Sequence, residues 1–256
     1  SYAKDWPIVE KLDATFHMDG VRMEVETQSA KVFDVSPRSA RAVIPNCRET
    51  SLELFIDAPH SPMQDLLRYV KDSPLDELVG GASSIFAGAG HADVALQLKK
   101  NISKAHYTDL KAYFDGTVRL QEASLNMPSL DMQLEQLNGS VGFSHKHVDS
   151  KKIQGKINAQ NFDAQVETKS TDLGPRVEVL ANAELSLQDI IKTKAPLLTE
   201  RLSGRSNWRI DIEIPLSEGQ QSASLSAASD LKGTVITFPA PLNKKVAAGV
   251  QMKTFV

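Results

Sequence analysis

The chain is poor in the residues that anchor most cross-links and most chemistry. Cys47 is the only cysteine among 256 residues, which excludes an internal disulfide and a cysteine-built metal site. Aromatic residues make up 6%, too few for the stacking platforms of a polysaccharide cleft, and no carboxylate pair stands out to accompany them. No run of Lys or Arg is long enough to track a phosphate backbone, and the formal net charge is only -3, so nucleic acid is not an expected partner. The longest uncharged stretch, Leu78 to Gly90, is too short and too rich in Gly and Ser to span a bilayer. The first residues have no signal-peptide pattern, and the chain starts at Ser1 without Met. It therefore reads as a piece of something larger, whose membrane anchor, if it has one, lies elsewhere.

Signatures of catalysis are missing as well. There is no Gly-x-Ser-x-Gly elbow. Ser84-Ile-Phe-Ala-Gly-Ala-Gly90 has the glycines of a phosphate loop but lacks the lysine and the following helix, and is expected to be a flexible turn. His145-x-His147 offers two metal ligands without a predictable third, so it reads as a solvated turn. Asp76-Glu77 and the Asp211/Glu213 pair read as solubility charges on wet surfaces. No catalytic residue, cofactor or metal is expected.

What the chain has in abundance is alternation. Apolar residues recur at every second position, the period of a strand with one dry and one wet face. Leu12, Ala14, Phe16 and Met18 form the first run; Asp19-Gly20 reads as a hairpin turn, and Val21, Met23 and Val25 form the second. Further runs are Leu52, Leu54 and Ile56; Val94, Leu96 and Leu98; Phe114, Val118 and Leu120; Leu130, Met132 and Leu134; Val141 and Phe143. They continue with Ile153 and Ile157; Phe162, Ala164 and Val166; Val177 and Val179; Ile210, Ile212 and Ile214; Leu225 and Ala227; and Val235. Trp208 is expected to anchor packing at a strand start.

Helical signals are few. Ser61 as N-cap with Pro62 at the first helical position predicts a helix carrying Met63, Leu66, Leu67 and Val70 and ending near Asp72. A second runs through Leu187, Ile190 and Ile191, is interrupted at Pro196, and resumes through Leu197, Leu198 and Leu202 to a stop at Gly204. The order of strands and helices repeats. Gly116-Thr117-Val118 returns as Gly233-Thr234-Val235, Gly81 corresponds to Gly204, and the Leu12 to Met18 run matches Leu137 to Phe143, at offsets of 117, 123 and 125. The expectation is one continuous unit over 1–256 with internal repeats 1–125 and 126–256.

Two helices cannot cover the dry face of about a dozen strands. The expected fold is mainly β: an elongated, curved antiparallel sheet that forms an open U-shaped hydrophobic groove, with a few short helices. An acyl chain in such a groove would be held by about 0.8 kcal/mol per methylene, roughly 12 kcal/mol for a sixteen-carbon tail. A phosphate head group must stay in water, so one side of the groove has to remain open. The residues of the runs above from Leu12 to Val235, apart from the alanines and Phe114, are the expected lining. A dry sandwich core built from Phe16, Leu134, Phe143 and Val166 is the competing reading.

Three segments also carry a family resemblance. Leu134-Glu-Gln-Leu-Asn-Gly-Ser-Val-Gly-Phe143, followed by Ile153-Gln-Gly-Lys-Ile157 and Phe162-Asp-Ala-Gln-Val166, resembles the repeated unit of the AsmA-like proteins of the Gram-negative envelope. So does Leu202-Ser-Gly-Arg-Ser-Asn-Trp208 leading into Ile210. Ser229-Asp-Leu-Lys-Gly-Thr-Val235 with Phe238-Pro-Ala-Pro-Leu-Asn-Lys244 is similar to a stretch of the YhdP-like branch. The resemblance implies a bridge of β-groove units, anchored in the inner membrane and crossing the periplasm, that moves phospholipid acyl chains toward the outer membrane and meets other envelope proteins at its ends. A β-scaffold that assists outer-membrane protein assembly by edge pairing is the alternative, and an enzyme on an elongated β-fold ranks last.

Overall fold

The computed structural model describes residues 6–49, 51–73, 75–78, 86–101, 113–127, 132–144, 147–157, 159–172, 174–191, 196–215, 224–239, 243–246 and 252–255. The strands are β1 (Glu10–Asp19), β2 (Arg22–Lys31), β3 (Ser39–Ile44), β4 (Ser51–Pro62), β5 (Ala87–Asn101), β6 (Tyr113–Met127), β7 (Met132–Ser144) and β8 (His147–Ile157). They continue as β9 (Gln160–Thr171), β10 (Gly174–Leu185), β11 (Leu202–Gly204), β12 (Ser206–Pro215), β13 (Ser224–Ser229), β14 (Thr234–Ile236) and β15 (Met252–Phe255). The helices are α1 (Met63–Lys71), α2 (Leu75–Leu78), α3 (Leu187–Ile191) and α4 (Pro196–Thr199).

Thirteen strands form one antiparallel sheet in the order β1-β2-β3-β4-β5-β6-β7-β8-β9-β10-β12-β13-β15. Its first and last strands are not paired with each other, so the sheet is open. At about 4.8 Å between strands it extends roughly 58 Å across them. β11 and β14 pair separately. The up-and-down order gives the sheet two long margins. One is made by the C-terminal ends of β1, β3, β5, β7, β9 and β12, the other by those of β2, β4, β6, β8, β10 and β13.

A row of bulges crosses the middle strands. The ladders slip between Ala58 and Ser61, Ala89 and His91, Leu120 and Ala123, Glu135 and Asn138, and Ser150 and Ile153. His60, Gly90, Glu122 and Gln136 take positive φ of 51, 79, 50 and 51° at these places. Neighbouring bulges touch: a Cβ on Gly90 would lie 3.1 Å from Ala123 Cα, and the Glu122 amide donates to Asn138 Oδ1 at 3.2 Å. A bulge bends its strand and increases its twist, so bulges in line crease the sheet along its length.

All helices lie toward the second margin. α1 packs over β5, where Met63 joins Ala92, Leu120, Ala123 and Leu137 in one buried cluster. Leu185, Leu187, Leu202, Trp208, Ile210 and Leu231 form another, with Ile191, Ile236 and Phe238 against it. The β11–β14 pair is drawn tight by close backbone approach of Gly204 to Gly233, and by Thr234 Oγ1 donating to Ser206 Oγ at 3.1 Å. Lys244 Nζ donates to the Thr234 carbonyl at 2.7 Å from a buried position.

Several expectations are corrected. Ser61 is not an N-cap: it belongs to β4, its hydroxyl donates to the Ala58 carbonyl, and Pro62 caps α1 without a side-chain bond. Leu202 is not helical: α4 ends at Thr199, and Leu202 opens β11 because it pairs with Ile236 and reaches the second cluster. The hairpin turn is Gly20-Val21, one residue later than the expected Asp19-Gly20. Ala87–Gly90 is strand and not a turn, since the missing side chain of Gly88 makes room for α1. β3 was not expected at all, and Leu130–Leu134 and Val141–Phe143 are not separate runs: their described residues belong to the single strand β7. Gly81 and His145 lie outside the described residues.

A Cβ at position 88 would meet Met63 Cγ at 2.5 Å and Leu67 Cδ1 at 2.8 Å. Gly88→Val is therefore expected to push α1 off the sheet and cost about 1–3 kcal/mol, measured as a lower urea midpoint.

Candidate functional site

The cross-strand register decides which side chains share a face, because directly opposed residues point the same way. On one side Phe16 and Met18 of β1 oppose Val25 and Met23 of β2, which oppose Ala42 and Ile44 of β3. Ala40 and Ala42 oppose Ile56 and Leu54 of β4; these oppose Leu96 and Leu98 of β5, with Ala58 against Val94 and Leu52 against Lys100. Val94, Leu98 and Ala92 meet Val118, Phe114 and Leu120 of β6, and Val118 meets Val141 of β7. Phe143 meets Val148, Leu134 meets Ile157, and Ile153 meets Ala164 of β9. Val166 and Phe162 face Val179 and Ala183 of β10, and Val177, Val179 and Ala181 face Ile214, Ile212 and Ile210 of β12. Ile212 then opposes Leu225 of β13. One apolar face thus runs without interruption across the sheet.

Twenty-five of the thirty expected lining residues therefore share this face. Of the other five, Leu12 lies beside a register shift and is 60% exposed, and Val21 sits in the turn. Met132 is in β7, where only its backbone is described, and Leu130 lies outside the described residues. Val235 belongs to the β11–β14 sheet, opposite Ser203. Sequence reasoning missed Ala40, Ala42 and Ile44 of β3, whose alternation is muted by alanine, and Leu137 and Ala123, whose parity is reversed by the bulges.

Burial divides the face. Toward the margin with the helices, Ala92 and Ala123 are fully covered and Leu137 and Trp208 nearly so. Toward the other margin Leu54, Leu96, Leu98, Phe143, Val179 and Ile212 are half-exposed and Phe16 and Met18 exposed, while Val177 and Ser150 are buried. No second sheet covers them among the described residues, in contrast to the competing sandwich reading. The polar side chains within this face are turned onto backbone: Ser150 Oγ donates to the Ser140 carbonyl at 2.7 Å, and Thr168 Oγ1 bonds both the amide and the carbonyl of Val148.

The opposite face is charged. Arg41 and Arg22 both bind Glu24 and hold its carboxyl below the usual range, chiefly through the Arg41 hydrogen bond. Lys99 binds Glu53 at 2.9 Å, Lys169 binds Glu178 and Arg176 binds Glu213. Glu178, Asp211 and Glu213 bring carboxylate oxygens within 4.8 Å of one another, the one such acidic trio among the described residues. Its outer members already hold Lys169 and Arg176, so the trio is a charge network with cations of its own. Asp76 and Glu77 lie in α2, and His147 is exposed beside Asp149, 3.6 Å away. No helix among the described residues is long and apolar enough to cross a membrane.

The geometry defines a class: an open antiparallel β-sheet protein with one continuous apolar face and no assembled catalytic group among the described residues. Within it, this chain belongs to the YhdP family, whose model, described as "YhdP protein", matches residues 1–254. It is similar to the intermembrane phospholipid transporter YhdP of Escherichia coli (strain K12), 24% identical over 248 residues. That alignment covers 95% of this chain and 19% of the relative, so the chain spans about a fifth of the relative's length. No solved structure matches.

Among the described residues Asp211 carries the one upward carboxyl shift, caused first by burial and then by Glu178 and Glu213. A folded-state value above the unfolded one means the folded protein binds the proton more tightly, so stability falls as pH rises through the folded value. Asp211→Asn should remove that penalty: urea unfolding is expected to show the variant gaining relative to wild type at pH 7 and losing the advantage near pH 3.

Proposed function

We propose that the chain is one segment of a phospholipid-carrying groove, with acyl chains lying on the apolar face and head groups in water. In this reading 1–256 is a single stretch of groove built from related units 1–125 and 126–256. It works in the periplasm, as part of a longer protein anchored in the inner membrane, and carries lipid between the inner and outer membranes of a Gram-negative envelope. The observation that carries the reading is the continuity of the apolar face across the sheet together with its incomplete cover. Leu98, Phe143, Val179 and Ile212 remain half-exposed, and large contiguous apolar surface persists in a folded protein where another apolar body completes it.

Three further observations support it. The crease bends the sheet along its length, as a U-shaped cross-section requires. The hydroxyls of Ser150 and Thr168 are satisfied by backbone, so a tail can slide without meeting a polar snag. The similar Escherichia coli protein is named an intermembrane phospholipid transporter.

Photo-crosslinking side chains at Phe143 and Ile212 are expected to capture phospholipid in cells, and one at Ser140, on the charged face, is not. Adducts to peptide strands instead of lipid would support the assembly scaffold, whose motivation is the exposed, unpaired outer edge of β1 with Phe16 and Met18. Val141→Asp in the full-length protein should abolish transport by setting a carboxylate in the path of the tails. A variant that keeps the wild-type circular dichroism and melting curve and still transports at the wild-type rate would exclude Val141 from the path.

A further inference from the structure

Helix α1 lies on the same apolar surface that the groove reading assigns to lipid tails. Along β5 that surface runs through Leu98, Leu96, Val94 and Ala92, crosses the slip between Ala89 and His91, and continues at Gly88. Leu98, Leu96 and Val94 are half-exposed, whereas Ala92 is fully covered and Gly88 sits against Met63 and Leu67 of α1. Beside Ala92 the covered part goes on as Leu120, Ala123 and Leu137, with Leu125 and Leu134 packed against them. One strip of apolar surface is thus completed by a helix over part of its length and stays half-bare over the part next to it.

The helix is lightly held. Its bed is made of small residues, Gly88, Ala92 and Ala123, and it rests there on Met63, Leu66 and Leu67. It follows β4 directly at Pro62, close to the positive-φ His60, and its first turn has no side-chain cap. Asp65 is only 7% exposed, yet its Oδ2 has no hydrogen-bond partner. Lys31 feels that charge but bonds Asp34, at 2.7 Å. A buried carboxylate oxygen without a partner raises the free energy of the closed position, and it regains water when the helix lifts. On the outer side the Arg68 guanidinium lies 4.0 Å over the Phe33 ring, and the rings of Tyr69 and Trp6 have centroids 6.1 Å apart. These contacts clip the helix to segments outside the apolar strip.

We propose that α1 is a hinged lid over a cryptic acyl-chain site formed by Ala92, Leu120, Ala123 and Leu137, and that a lipid tail advancing past Val94 takes the place of the helix there. Methylenes replace Met63, Leu66 and Leu67, so the strip stays dry in both states. The proposal rests on the groove reading above and adds to it a gated stretch that a tail occupies only when the helix is raised.

Gly88 offers a lock for the lid. A Cβ there lies 3.3 Å from Met63 Cβ, close to the roughly 3.5–4.5 Å that a disulfide spans. Met63→Cys with Gly88→Cys, in a chain whose one native thiol is removed by Cys47→Ser, is therefore expected to cross-link on oxidation. Phosphatidylglycerol carrying a diazirine at the end of an acyl chain is delivered from vesicles to the full chain, and adducts are mapped by mass spectrometry. Leu98 and Phe143 are expected to be labelled whether the lock is open or closed. Leu120 and Leu137 are expected to be labelled in the reduced chain and to lose roughly tenfold or more of that label on oxidation, since a closed helix leaves no space over them. In the unmodified chain, the α1 amides are expected to exchange faster with deuterium once the vesicles are added. Equal label on Leu120 and Leu137 in both states, no label there while Leu98 is labelled, or α1 exchange unmoved by the vesicles would overturn the lid. Absence of adducts from Leu98 and Phe143 as well would instead overturn the groove itself. If the cysteine pair does not close, or circular dichroism shows that the variant has lost its fold, the exchange experiment on the unmodified chain decides alone.

Discussion

The structure depends on one constraint: a strand's period of two, held in phase from strand to strand by the hydrogen-bond register. A slip of one residue in any ladder would carry that strand's Leu, Ile and Val to the charged side and its Glu and Lys to the dry side. The ladders instead join Leu54 to Leu98, Val118 to Val141, Val166 to Val179 and Ile212 to Leu225. On the reverse side Arg41 meets Glu24 and Lys169 meets Glu178, pairs that the wrong register would part or strand against apolar neighbours. Both faces therefore enforce the same phase, one by burial and the other by charge.

Where strands pass under the helices, a strict period of two is broken and then restored. The positive-φ residues His60, Glu122 and Gln136 each accompany an extra residue in the ladder, so Leu120 and Ala123 point the same way although three apart, as do Leu134 and Leu137. The device has two consequences at once. It keeps the apolar face continuous, and it bends the sheet where the roof of helices begins. Small residues gather beneath that roof, with Gly88, Ala92 and Ala123 leaving room for Met63 and Leu67.

An open sheet of this kind leaves two problems, its edges and its uncovered apolar surface. The closing of one margin by α1, α3, α4 and the β11–β14 pair removes part of the second problem, and Trp208, Leu231 and Phe238 there look like an ordinary core. The remainder is left to something outside the described residues. The proposed function completes it with hydrocarbon, in keeping with membership of the YhdP family and with similarity to a protein named as an intermembrane phospholipid transporter.

Much of this was legible in the order of residues alone. Alternation is local, so the strands at Leu52–Ile56, Val94–Leu98, Phe162–Val166 and Ile210–Ile214 and their common dry side could be read without coordinates, and the scarcity of helices implied a face left partly bare. Four features depended on contacts distant in the chain. Ala40-x-Ala42-x-Ile44 became a strand because β2 and β4 flank it, alanine being too small to announce one. Ser61 lost its cap role because it pairs with Ala92 of β5. Leu202 left the helix because Ile236 offered it a partner. The two unequal margins emerged only when turns and helices were assembled on one sheet. The sequence by itself determined which residues are dry, because that is a matter of parity along a strand. The tertiary structure decided which of those dry residues are covered, because covering one requires a roof brought from elsewhere in the chain.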